Sequence, residues 1–95
     1  MKFEKRFLLN DLQDYLAELE FEFISGTTKV IKYSRPIYLA NSIVEVNTSI
    51  EEGKKLILLK FYHDTYPSIV NKLYVSQIDE ATKLNINKMI EDLEL

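Results

Sequence analysis

The stretch from Leu56 to Tyr62 constrains the fold most, because it is apolar at both odd and even positions. Successive side chains of a β-strand point to opposite faces of its sheet. Leu56 and Leu58 therefore share one face, and Ile57 and Leu59 share the other. A strand that is apolar on both faces is normally central in its sheet, or its second face is covered. The pattern predicts a central strand between two apolar layers.

Helical periodicity flanks this strand near both ends of the chain. Apolar residues recur every three or four positions in two segments, which begin at Leu8 and at Ile78. Asn10 or Asp11 is a suitable N-cap for the first helix, since either side chain can accept hydrogen bonds from free backbone N–H groups. The second helix is expected to begin near Ser76. The two stripes predict one amphipathic helix before the strand region and one after it.

Strand signals fill the middle of the chain, where β-branched and aromatic residues are concentrated. We expect short strands at 28–33, 37–39, 43–46 and 73–75. Pro36 is expected to interrupt the sheet because it has no backbone N–H, and residues 40–42 are expected to bend.

The first helix is expected to end near residue 20. Residues 21–25 are compatible with two structures, because Glu20 to Phe23 alternates with the period of a strand, whereas Ser25 and Gly26 suit the end of a helix. The sequence predicts a single α+β domain over residues 1–95, with an N-terminal helix, an antiparallel sheet of three to four strands and a C-terminal helix.

Composition excludes several classes of protein. The chain has no cysteine, so disulfides, thiolate metal sites and thiol nucleophiles are excluded. Its apolar runs are too short for a membrane-spanning helix or a signal peptide, which predicts a cytoplasmic protein. The 46% hydrophobic fraction excludes an intrinsically disordered chain.

Catalytic and cofactor-binding patterns do not emerge from the sequence. His63 is the single histidine, and the adjacent Asp64 would point to the opposite side of an extended chain. The two glycines, Gly26 and Gly53, are isolated and form no phosphate-binding loop. The acidic clusters at 51–52 and 91–94 lack the alternating oxygens of a calcium loop. We therefore expect a protein that is not an enzyme and has no metal site and no cofactor.

One face of the predicted sheet is a candidate binding surface. If Ile57, Leu59 and Phe61 meet the helices, the alternate side chains face away from them and need a different cover. We expect a partner protein to contact this face through apolar anchors, aromatic anchors and a charged rim. These residues are Leu56 and Leu58, Tyr62 and Tyr74, and Lys60, respectively.

Several identities for the partner remain open at this point. The leading expectation is a small adaptor or inhibitor of a larger protein, with a homodimer through the same face as a second arrangement. Single-stranded nucleic acid is the alternative, because lysines and tyrosines alternate through the strand region. The middle of the chain, residues 25–78, has a net charge of +3, and each flanking part has −3.

The acidic helices are a further candidate surface, through Asp14, Glu18, Glu91, Asp92 and Glu94. Carboxylates near the C-terminus of a helix are unfavourable beside its dipole. We expect a cation to offset them, from Lys2, Lys5 or Arg6 of the same chain or from a partner.

Overall fold

The computed structural model describes residues 5–27, 29–37, 40–48, 57–65, 68 and 70–94; the side chains of residues 5–7 are not described. Along the chain, one helix precedes five strands and a second helix follows them. Helix α1 covers Lys5–Glu18 and helix α2 covers Glu80–Glu94. The strands are β1 (Glu22–Gly26), β2 (Val30–Ile37), β3 (Ala40–Asn47), β4 (Ile57–His63) and β5 (Asn71–Val75). This confirms the α+β class and corrects the strand count to five.

All five strands are antiparallel, and their order in the sheet is their order in the chain. Strand β4 pairs with β3 on one side and β5 on the other, so the strand that has apolar residues on both faces lies inside the sheet as expected. Each strand therefore pairs with its neighbour in sequence, and both edges are formed by short strands, β1 and β5.

The extra strand is β1, in the stretch whose structure the sequence left open. Helix α1 ends in a Schellman motif, in which the Phe21 N–H donates to the Leu16 carbonyl and the Glu20 N–H donates to the Ala17 carbonyl. Glu20 takes the left-handed conformation, with φ of 68°. The helix therefore ends at Glu18, close to the expected residue 20, with Glu20 as its left-handed cap. The chain forms β1 directly afterwards.

The helix starts also differ from expectation. Helix α1 already includes Asn10 and Asp11, so neither residue is its N-cap. Helix α2 begins four residues later than Ser76, and Asp79 is its cap, because the Asp79 carboxylate accepts a hydrogen bond of 2.9 Å from the Thr82 N–H. Hydrogen bonding from the Thr82 side chain, together with this backbone bond, lowers the pKa of Asp79.

Strand β2 continues through Pro36, which pairs with Asn41 on β3. The pairing of β1 with β2 extends only to Ser34, so Pro36 has a strand neighbour on one side only and its missing N–H is tolerated. Residues 40–42, predicted to bend, are the regular start of β3. The predicted strand at 37–39 falls partly outside the described residues.

The core lies between the two helices and one face of the sheet, called here the inner face. Its strand side chains include Tyr33, Val44, Leu59 and Phe61, which pack with the buried stripes of α1 and α2. The helices also contact each other through Tyr15, whose hydroxyl donates to the Asn87 side chain at 2.6 Å. Ile57, Leu59 and Phe61 thus face the core as the sequence predicts, and the alternate residues of β4 face the other way.

Neither helix is long and apolar enough to cross a membrane, within the residues that the structure describes.

Candidate functional site

The second face of the sheet, called here the outer face, contains most of the residues predicted to bind a partner. Strand pairing places Leu58 opposite Tyr74 and Lys60 opposite Lys72. On the other side of β4, Lys60 lies opposite Glu45 and Tyr62 lies opposite Ile43. Within β2 to β5, the outer face includes Lys32, Ile43, Glu45, Leu58, Lys60, Tyr62, Lys72 and Tyr74. Leu56 lies outside the described residues.

The outer face is less bare than the sequence suggests. Leu58 is 7% exposed and Tyr62 is 9% exposed, whereas Tyr74 is 57% exposed. Leu58 and Tyr62 therefore act mainly in the packing of the monomer, and Tyr74 is the predicted anchor that remains free to contact another molecule. A charge introduced at Leu58 would be buried, so Leu58 is a poor position for testing surface contacts.

A cleft of about 550 Å³ lies on the outer face. Its lining comes from β1 to β4 and the end of β4, and consists of Ile24, Lys32, Ile43, Glu45, Lys60, Tyr62 and Asp64. Ile24 lies at a β-bulge, because the pairing of β1 with β2 shifts by one residue between Phe23 and Ser25. The bulge leaves Ile24 half-exposed at the rim of the cleft.

Glu45 is the centre of a polar network within the cleft. Its carboxylate accepts a hydrogen bond of 3.0 Å from the Tyr62 hydroxyl and another of 3.0 Å from the Asn47 amide. The ammonium groups of Lys32 and Lys60 lie 3.9 Å and 3.8 Å from the two carboxylate oxygens. Glu45 is thus contacted from β2, β3 and β4, which fixes its position in the floor of the cleft.

The same network perturbs the acidity of Tyr62. Burial raises the pKa of Tyr62 to about 12, and the hydrogen bond to Glu45 and its negative charge act in the same direction. The phenol therefore remains protonated at neutral pH and serves as a hydrogen-bond donor. It has no role as a general base in that state.

Positive charge exceeds negative charge along one row of the outer face. Lys32, Glu45, Lys60 and Lys72 follow one another across β2, β3, β4 and β5. Glu45 lies between the first two lysines, but Lys60 and Lys72 are direct cross-strand neighbours. Among the described residues, no carboxylate lies within ion-pair distance of Lys72. The row ends in two adjacent lysines, of which Lys60 is paired with Glu45 at 3.8 Å and Lys72 has no acidic partner among the described residues.

The inner face contains a second polar cluster, which fastens α2 to the sheet. Arg35 on β2 forms a two-bond ion pair with Glu94 in the last turn of α2. The fully buried Ser42 hydroxyl also donates to Glu94, at 2.7 Å. Arg35 therefore offsets negative charge at the end of α2. The expectation for Lys2, Lys5 and Arg6 falls on side chains outside the described part of the structure.

His63 lies beside this cluster, opposite Ser42 on the neighbouring strand. Ser42 is directed to Glu94 and is inaccessible to solvent, so its hydroxyl is not available to attack a substrate. Asp64 bonds the backbone N–H and the side chain of Asn41, and these bonds lower the pKa of Asp64. Asp64 thus closes the end of the β3–β4 pair and does not orient His63.

Within the described part of the chain, no three acidic or histidine side chains come together in a group that could hold a metal ion.

Comparison with known proteins found no matching family model, no matching curated protein and no matching solved structure.

Proposed function

We propose that this chain is a small cytoplasmic adaptor or inhibitor that binds another protein through the outer face of its sheet, without catalysis. The cleft supports this proposal most directly. It combines apolar side chains, Ile24 and Ile43, with the ammonium groups of Lys32 and Lys60. The exposed Tyr74 extends the surface onto β5. Aromatic and apolar anchors beside charged groups are the usual composition of a protein interface.

The contacts of Tyr62 favour a protein over single-stranded nucleic acid as the binding partner. Base stacking needs an accessible aromatic face. Tyr62 is nearly buried, and its hydroxyl is bound to Glu45. The Glu45 carboxylate lies in the middle of the cationic row, where it would repel a phosphate chain. These features weaken the platform of lysines and tyrosines on which the nucleic-acid alternative depends.

Charge also favours a different protein over a second copy of this chain. Two outer faces that meet each other would bring the row of three lysines and one carboxylate against the same row. Like charges in contact are destabilising, particularly where the interface excludes water. We therefore expect the purified protein to have the mass of one chain in light scattering. A concentration-independent mass of two chains would contradict this expectation.

The binding surface is testable by affinity purification from cells of the source organism. Tyr74→Asp places a charge on the outer face, and Leu84→Asp places the same charge on α2, where Leu84 is 68% exposed. We expect Tyr74→Asp to reduce recovery of a specific partner roughly tenfold, the loss typical of an aromatic anchor. Leu84→Asp should leave recovery unchanged.

Both substituted side chains are largely exposed, so the two variants should fold alike, and their melting curves serve as the check. Equal recovery with the native protein and both variants would contradict binding through the outer face. Loss in Leu84→Asp alone would assign binding to the helices instead.

A further inference from the structure

We propose that the partner presents a carboxylate side chain to the Lys60–Lys72 pair on the outer face. This inference rests on the proposed function and specifies the chemistry of the partner at that surface. Its basis is the direct cross-strand pairing of two lysines, one on β4 and one on β5.

Opposed lysines are unfavourable in the free protein. Directly opposite residues of an antiparallel pair have Cβ atoms about 4.5–5.5 Å apart, and like charges at that position are destabilising. Lys60 is 26% exposed in its side chain and Lys72 is exposed, so screening by water reduces the repulsion without abolishing it. An anionic group placed between the two ammonium groups would turn the repulsion into two attractions.

Glu45 does not fill this role within the molecule. Its carboxylate lies on the β3 side of Lys60 and already contacts Tyr62, Asn47 and Lys32. Lys72 lies one strand further away, on β5. The second anion must therefore come from another part of the chain or from another molecule, and within the described residues none is in place.

Tyr74 indicates what surrounds the carboxylate. It lies two residues after Lys72 on the same face of β5, and its ring is largely exposed. Leu58 lies directly opposite Tyr74 on β4. A partner segment with an aspartate or glutamate next to an apolar side chain would contact the lysine pair and the Tyr74 ring together.

A charge reversal at Lys72 separates this inference from a general surface effect. Lys72→Glu converts the like-charged pair into an attractive one, so the free protein should melt about 1–5 °C higher. The same change should weaken binding of the captured partner by about tenfold or more. Lys88→Glu, at an exposed position on α2, is the matched control and should change neither the partner affinity nor the cross-strand repulsion.

A defined probe tests the chemistry without knowledge of the partner. We expect a glutamate decapeptide to shift the NMR signals of Lys60, Lys72 and Tyr74 at low salt. The shifts should disappear in Lys72→Glu and persist in Lys88→Glu, and they should diminish as salt rises. Shifts confined to other residues, or shifts that persist in Lys72→Glu, would overturn the inference. Tighter binding of oligothymidylate at the same residues would assign the surface to nucleic acid instead.

Failure of this inference is distinguishable from failure of the proposed function. If Tyr74→Asp loses the partner and Lys72→Glu binds it with native affinity, the outer face is the interface but the partner contributes no carboxylate there. If neither variant changes recovery, the outer face is not the interface.

Discussion

Arg35→Ala is expected to lower the free energy of unfolding by about 2–3 kcal/mol, because it removes one partner of a largely buried ion pair. The Arg35 and Glu94 side chains are 25% and 19% exposed, which reduces the expected loss below that of a fully buried pair. Arg35 also donates a 2.7 Å hydrogen bond to the Leu19 carbonyl, and its guanidinium lies 5.0 Å from the Phe21 ring centroid. One side chain thus connects β2, the end of α1 and the last turn of α2.

Thermal and urea unfolding measure this effect. For a domain of this size, the expected loss corresponds to a fall in Tm of roughly 10–20 °C. Arg35→Lys should give an intermediate loss, because lysine retains the charge but not the two-bond geometry. A double-mutant cycle with Glu94→Gln isolates the interaction between the two side chains. A loss below about 0.5 kcal/mol in Arg35→Ala would show that the pair behaves as an ordinary surface ion pair.

Stability is expected to fall steeply as the pH rises from 10 to 12, owing to Tyr62. Its pKa is raised from 10.0 to about 12 in the folded protein. Below pH 10 the phenol is protonated in both the folded and the unfolded chain, so its contribution to stability is constant. Above pH 10 the unfolded chain loses the proton first, and the free energy of unfolding falls until the pH passes the folded pKa. The difference corresponds to about 2–3 kcal/mol.

Tyr62→Phe is the control for the alkaline transition. It retains the ring and both lysines around Glu45, so the two proteins differ only in the Tyr62 hydroxyl. Burial also raises the pKa of Tyr15 and Tyr33, and these groups remain in the control. We expect the native protein to lose stability more steeply than Tyr62→Phe over this range, as measured by urea unfolding at successive pH values. Parallel curves would show that the Tyr62 phenol ionises normally.

Much of the fold could be predicted from periodicity. The apolar stripes of both helices and the two-sided strand β4 follow from residue spacing, since each buries a continuous set of side chains. Strand β1 could not be identified in this way, because all five of its residues are exposed and no burial pattern distinguishes its faces. The end of α1 was predicted to within about two residues, although Glu20 takes a left-handed conformation that glycine or asparagine more often adopts.

The candidate site was predictable only in part. Strand parity places Leu58, Lys60 and Tyr62 on one face. Their neighbours depend on strand register, which alternation alone does not determine. The position of Glu45 between two lysines therefore could not be predicted from the sequence. The Lys60–Lys72 pair is likewise defined only by the β4–β5 register. The Arg35–Glu94 pair joins residues 59 positions apart, beyond the reach of any local pattern.

The sequential strand order has a consequence for the way the chain matures during synthesis. Each strand pairs with the one made just before it, so the sheet can grow hairpin by hairpin as the polypeptide emerges. The contact between the two helices is not sequential, because Tyr15 on α1 meets Asn87 on α2 across 72 positions. The inner face consequently remains without α2 until the C-terminal segment leaves the ribosome, and the apolar side of a nascent sheet is open to chaperones during that interval.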